Sequence, residues 1–188
     1  MEAALKVVPE LHAPRKLDIA SGTNKAPGYT GIDIEPSSDI VWDLFTFPWP
    51  IKTGSVSKIR IAHFVEHIPH YRPDWAGKDG WFMFWEEVHR IARKGAEIKV
   101  VHPFGMSDRA FWDPTHVRFI VAQTWFYLDA NWREINQLSH YTTADFEVLV
   151  AYAGLAEDMA GKNESFVEFH RLHSWNVHPD LEVTLKRR

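Results

Sequence analysis

Cysteine is absent from the 188-residue chain, which excludes disulfides, thiolate metal ligands and thiol nucleophiles. No apolar run comes near the roughly 18 residues needed to span a bilayer. The opening stretch Met1 to Arg15, broken by Glu2, Lys6, Pro9 and Glu10, lacks the apolar core of a secretory leader. Basic charge is scarce: 21 lysines and arginines face 25 acids, for a net charge of −4, and the one basic run is Lys186-Arg187-Arg188. A duplex-binding protein normally carries a clustered basic face, so nucleic acid is a disfavoured though still open substrate class. Repeats, low-complexity tracts and long linkers are also missing. The length fits one domain over residues 1–188, in an expected cytoplasmic setting without membrane attachment. Oligomeric state leaves no mark in the composition.

What the chain has in plenty is large rings, with nine tryptophans and an aromatic share of 14%. Aliphatic runs punctuated by turn residues predict strands over Lys16–Ala20, Tyr29–Ile34, Ile40–Leu44, Lys58–Ala62 and Ala96–His102. Such runs, separated by helical segments, suggest a parallel sheet covered on both faces. Trp81, Phe84, Trp85, Val88, Ile91 and Ala92 recur at helical spacing and predict a helix over Trp81–Arg93, stopped by Lys94-Gly95. Thr142, with Asp145 three residues on, predicts a capped helix over Ala144–Ala153. The tail reads as two strands, Ser165–Leu172 and Leu181–Lys186, forming an antiparallel C-terminal edge pair. The link from Ser21 to Gly28 is too short for an ordinary crossover helix, so the first helix is expected to be shortened or absent. The expected class is α/β, a single Rossmann-like domain with a mostly parallel sheet.

A strand ending in a glycine turn, then a second strand ending in an acid, is the minimum device for a nucleoside. Glycine lets backbone approach the ligand, and the acid accepts both ribose hydroxyls. The pieces here are Leu17-Asp18-Ile19-Ala20-Ser21-Gly22 and Gly31-Ile32-Asp33-Ile34. Asp43 ends the next short strand, where an adenine amine could be bound. Each piece alone is an ordinary turn; their order is the signal.

In these blocks the sequence resembles the S-adenosylmethionine-dependent methyltransferases of the Rossmann-like class. It is most similar to a bacterial and phage branch whose fourth strand runs into His-x-x-Glu-His and whose fifth strand is followed by Asp-Pro-Thr-His. The matching segments include Gly54 to Ile68, Glu86 to Ile91 with Lys94-Gly95, and Asp113-Pro114-Thr115-His116-Val117-Arg118. The resemblance implies S-adenosylmethionine as cofactor, held by Asp18, Ala20, Gly22, Asp33, Asp43 and Leu44, with His63 and Phe64 beside the transferred methyl. Ala20 stands where that family usually has glycine.

His63-Phe-Val-Glu66-His67 also has the spacing of inverted zinc peptidases. That chemistry needs both histidines on one helical face, and His63 directly continues a strand. No resident metal is therefore expected, and a zinc hydrolase is the lesser alternative. His116, after the fifth strand, is the expected general base for an acceptor hydroxyl or amine, with His67 and His63 as further candidates. Its plainer reading is that Asp113 and His116 close the loop on itself, as Glu66 and His67 brace theirs. Arg118 either holds an anionic substrate or pairs with Asp113, and His102 is placed to face the pocket. Trp112, Trp125 and Trp132 flank the substrate loop, with core filling expected of at least one. Trp42 and Trp49 are candidate walls of the adenine site.

Asn/Asp-Pro-Pro-Tyr does not follow the fourth strand, which weighs against amino methylation of DNA bases, and the missing cysteine excludes the covalent route to C5-methylcytosine. The favoured acceptor is a hydroxyl on a small molecule or glycan. A non-catalytic module that only binds S-adenosylmethionine is the other alternative.

Overall fold

Alternation of aliphatic and polar residues builds seven strands into one sheet in the computed structural model, which describes residues 11–188. Met1–Glu10, part of the stretch read above as lacking a leader core, lies outside the described residues. Strands β1 (Lys16–Ile19), β2 (Thr30–Asp33), β3 (Ile40–Val41), β4 (Val56–Ala62) and β5 (Ala92–Pro103) run parallel in the order β3-β2-β1-β4-β5. Strand β7 (Asp180–Arg187) pairs antiparallel with β5, and β6 (Phe146–Ala153) antiparallel with β7 at the edge. The α/β class, the mostly parallel sheet and the antiparallel edge pair are as expected. So is the missing first helix, since residues 20–29 cross from β1 to β2 as turns.

Three expectations fail, each for its own physical reason. Residues 144–153 are not a helix. Phe146, Val148, Val150 and Tyr152 alternate with Glu147, Leu149 and Ala151, and that alternation forms β6. Thr142 takes no helix cap; its hydroxyl accepts from Ala144 N–H and bonds Glu86. Residues 165–172 are not a strand but lie in helix α5 (Glu164–His173), whose first turn is capped by Asn163 accepting from Phe166 N–H. The partner of β7 is therefore β6.

The third failure concerns the sheet's second face. Directly paired residues share a face, so Lys58, Glu97, Lys186 and Glu147 form one cross-strand row of alternating charge. Lys58, Lys99, Glu182, Lys186, Glu147 and Leu149 are exposed. Helices cover one face of the sheet only, because the crossovers among β1 to β4 are too short to lay helices on the other, where turns alone cover residues such as Asp18.

The covered face carries rows such as Leu17-Ile59-Ile98-Leu185 and Ile19-Ile61-Val100-Val183, all buried. Helix α1 (Gly80–Ile91) packs there through Trp81, Phe84, Trp85, Val88 and Ile91. Asp79 starts the helix by accepting from Trp81 N–H at 2.7 Å. A side chain at Gly80 would meet the Pro69 carbonyl at 2.3 Å and the Trp75 ring at 2.5 Å, so only glycine fits this entry. The helix ends at Ile91 rather than Arg93 because the chain passes directly into β5. Three further short helices, α2 (Arg109–Trp112), α3 (Ala122–Trp125) and α4 (Ala130–Ile135), link β5 to β6.

Trp85 is the hub of an aromatic core, with Phe84 and Trp125 rings each 5.2 Å away and Trp81 at 5.7 Å. Replacing it by alanine is expected to lower unfolding free energy by about 3–5 kcal/mol. Lys186→Ala, on the open face, should change it by no more than about 0.5 kcal/mol. Urea denaturation of both variants tests the one-sided core; equal losses would contradict it.

Candidate active site

The carboxyl ends of the parallel strands carry two groups of chemistry-bearing residues. The first lies where β1 and β2 end. Ala20 leaves β1 with φ of 56°, the left-handed conformation that costs a non-glycine residue about 1–2 kcal/mol. The turn is held by Ala20 N–H donating to the Ile32 carbonyl at 2.9 Å. Two residues on, Gly22 N–H donates to Asp33 Oδ2 at 2.8 Å, while Asp33 Oδ1 accepts from Glu35 N–H at 2.9 Å. Each carboxylate oxygen has about two acceptor positions, so Asp33 keeps capacity for further donors. Gly22 has φ of 47°, and a side chain added there would meet nothing within 4 Å, so open space lies over this turn.

The neighbouring acids are committed elsewhere. Asp18 is fully buried, accepting from Ala26 N–H at 2.7 Å and pairing with Arg60 at 3.0 Å, so it anchors the turn from beneath. Asp43 accepts from Phe45 N–H, Thr46 Oγ1 and Arg72. Burial alone would raise its pKa, but these donors and the Arg72 charge hold it below the usual carboxylate range. The Leu44 carbonyl accepts from Trp49 Nε1 at 3.0 Å, and Trp49 is core rather than wall.

The second group sits after β4. His63 N–H extends the sheet by donating to the Val101 carbonyl at 2.8 Å, then the chain turns at φ of 51° into the 3-10 turn Val65–His67. His63 and His67 therefore do not share a helix. Phe64 stacks on Phe45 at 5.6 Å and backs onto Phe84. The loop bearing Asp113-Pro-Thr-His116 is stitched to this turn. Val117 and Arg118 N–H both donate to the Glu66 carbonyl, and His70 Nε2 lies 3.0 Å from the Val117 carbonyl. Arg118 does not pair with Asp113; its guanidinium donates to the Ile68 and Pro69 carbonyls and to Asp79.

The stitch brings His63, His67 and His116 around the Glu66 side chain, which is 2% exposed and has no hydrogen-bond partner on either oxygen. His63 Nδ1 lies 3.7 Å from Glu66 Oε1 and His116 Nε2 4.0 Å, ion-pair rather than hydrogen-bond separations. Glu66 raises the His63 pKa above its ordinary value, against the opposing effect of partial burial. The His63 side chain is 44% exposed and that of His116 only 9%. Sequence reasoning treated Glu66 as a loop brace; only its burial reveals it as the centre of the cluster. It also missed a shelf of exposed rings, in which Phe111 and Phe119 stack at 4.3 Å and Trp175 lies 5.6 Å from Phe111.

His102 does not face a pocket. It is fully buried, with Nδ1 2.8 Å from the Pro103 carbonyl and Nε2 accepting from Trp125 Nε1 at 3.1 Å. Trp125, fully buried, is the core-filling member of the three tryptophans near the loop, whereas Trp112 is 74% exposed.

The sequence matches no protein-family model and no curated protein. The fold does match solved structures. A SAM-dependent methyltransferase from Archaeoglobus fulgidus aligns over 94% of this chain and 87% of its own, with a TM-score of 0.61 at 16% identity. The YcgJ protein from Bacillus subtilis aligns over 97% and 95%, with a TM-score of 0.52 at 11% identity. A SAM-dependent methyltransferase from Thermotoga maritima aligns over 95% and 84%, at 0.50 and 12%. At these identities the likeness is one of fold: the chain has a Rossmann-like α/β fold that these proteins share.

Burial pushes the His102 pKa down to about 4. Between about pH 6.5 and 4 the unfolded chain takes up a proton there that the native state refuses, so stability falls as pH falls through this window. The expected slope from this residue is about 1.4 kcal/mol per pH unit, absent in His102→Gln. Denaturation of both proteins across that range reads the difference, and parallel curves would refute it.

Proposed function

We propose that this protein transfers a methyl group from S-adenosylmethionine to a hydroxyl of a small molecule or glycan. The observation that carries the reading is the hydrogen bond between Gly22 N–H and Asp33 Oδ2. It couples an open glycine turn to an acid with spare acceptor capacity at adjacent parallel strand ends, where ligands bind in open α/β sheets. Asp33 would take the ribose hydroxyls, and the Ala20–Gly22 backbone the methionine end. Asp43, already holding Arg72 and Thr46, shapes the adenine side together with Leu44, while Asp18 supports the turn from below. The bound cofactor supplies an electrophilic methyl on a sulfonium; the protein's share is alignment and removal of the acceptor proton.

For that proton, His63 is the residue best placed. It is the most exposed of the three clustered histidines, lies at the end of β4, and has Glu66 behind it to stabilise the imidazolium. His116, enclosed behind Glu66, and His67 support it. The exposed rings of Phe111, Trp112 and Trp175 border, with Asp108, an open cavity of about 340 Å³ next to the same loop. Exposed aromatic patches of this kind mark ligand sites and suit a sugar or planar acceptor.

Calorimetry should show S-adenosylmethionine or its demethylated product binding the wild-type protein. Asp33→Ala should weaken either by roughly 10- to 150-fold, the equivalent of one charge-assisted hydrogen bond of about 1.5–3 kcal/mol. No heat with either ligand in folded protein would defeat the reading.

His63→Ala should keep that affinity but lose roughly 10²–10⁴ in turnover, assayed against a panel of phenolic and glycosidic hydroxyls. In the parent, the rate should rise through an apparent pKa above the ordinary histidine value, and the variant should lack that limb. Cofactor binding without turnover on any acceptor would instead identify a binding module.

A further inference from the structure

We propose that Glu66, His67 and His116 form a binding site for one divalent transition-metal ion of the zinc and cobalt type. Each offers a donor atom, and the three atoms lie within 4.8 Å of one another. The signal that points to a cation is Glu66, a carboxyl group 2% exposed with both oxygens unpartnered. Buried carboxylates are as a rule hydrogen-bonded, paired or metal-coordinating; here hydrogen bonding is missing and the His63 and His116 imidazoles stand 3.7 and 4.0 Å away, beyond hydrogen-bond reach.

The hydrogen-bond network around the two rings decides which nitrogens are free. Thr115 Oγ1–H donates to Asp113 Oδ1 at 2.6 Å, so the same oxygen accepts from His67 Nδ1–H at 3.1 Å. The lone pair of His67 is thereby left on Nε2. His116 Nδ1–H donates to the Ala110 carbonyl at 3.0 Å, leaving its lone pair on Nε2, the nitrogen 4.0 Å from Glu66 Oε1. An imidazole with one N–H fixed on a carbonyl or hydroxyl and the other nitrogen free is the arrangement that metal-ligating histidines adopt. The two rings stand 4.8 Å apart at 74°, held by the backbone bonds from Val117 and Arg118 to Glu66.

Two imidazoles and one carboxylate suit zinc or cobalt better than magnesium or calcium. Three protein ligands leave a position open, as in catalytic zinc sites. This set differs from the His63-x-x-Glu66-His67 spacing, since His116 takes the place of His63. The expectation of no resident metal was argued from that pair, and the proposed site departs from it on the geometry of this trio. A catalytic role, in which the ion would polarise the acceptor oxygen before His63 takes its proton, rests on the methyl-transfer reading; occupancy of the site does not.

The test uses chelator-treated full-length protein titrated with Co²⁺ and with Zn²⁺, followed by visible absorption and calorimetry. The expected result is one ion per chain with the ligand-field bands of a nitrogen- and oxygen-ligated cobalt. Affinity should fall at least tenfold in Glu66→Gln, His67→Ala and His116→Ala, and not in His173→Ala. Thr115→Val, which removes the hydroxyl that orients His67 and bonds Asp113 but leaves the Thr115 carbonyl 3.3 Å from His67 Nδ1, should weaken binding roughly 10- to 100-fold and guards against misfolding of the ligand variants. Absent cobalt bands, or binding that all these variants retain, overturns the site. Ion binding in a protein that takes up no S-adenosylmethionine would leave the site standing and remove the methyl-transfer reading. Undiminished methyl transfer by protein that binds no ion would do the reverse.

Discussion

Glu66 is fastened from its backbone while its side chain is left unfulfilled, and the arrangement of the site follows from that. Its carbonyl accepts from Val117 and Arg118, which pins the loop after β5 to the turn after β4. Arg118 and His70 close the same seam from either side. These bonds bring His116 to a residue fifty positions earlier and bury the Glu66 carboxyl between imidazoles. A buried acid without hydrogen bonds is costly, so the seam has to be strong, and the backbone bonds to Glu66 supply that strength.

The one-sided sheet serves the same edge. Where a usual doubly covered sheet would have helices between its first strands, this chain has turns, and the strand ends stay open. The compensation is visible in two places. Alternating charges on the bare face, Lys58-Glu97-Lys186-Glu147, make its exposure tolerable. The core, confined to one layer, is packed with Trp49, Trp85 and Trp125 rather than spread over two. Ala20 and His63 both leave their strands in the left-handed conformation, so two non-glycine residues at the strand ends carry backbone strain. Such outliers persist where surrounding structure holds them, and they cluster at functional sites.

Much of this was legible in the chain. Runs such as Leu17-Asp-Ile19 and Ile98-Lys-Val100 mark strands because burial of one side demands it, and the spacing of Trp81, Phe84, Trp85 and Val88 marks α1 for the same reason. The eight-residue link after Ser21 announced the missing helix through simple reach. Where local signals conflicted, the sequence misled. Thr142 with Asp145 imitates a helix start, yet Phe146 to Tyr152 can bury their apolar side only as a strand against β7. Asn163 capping α5 is as local a signal as Thr142, but there nothing in the tertiary structure opposed it.

Residue type and order by themselves determined the fold class, the strand-end acid Asp33 and the absence of thiol chemistry, because periodicity, loop length and composition are properties of neighbours along the chain. Tertiary structure alone decided that His102 is core and Asp18 an anchor, and that His116 meets His67 around an acid that looked like a brace. Those outcomes depend on burial and on hydrogen bonds spanning dozens of residues. No local pattern encodes which of several similar histidines the sheet edge will gather.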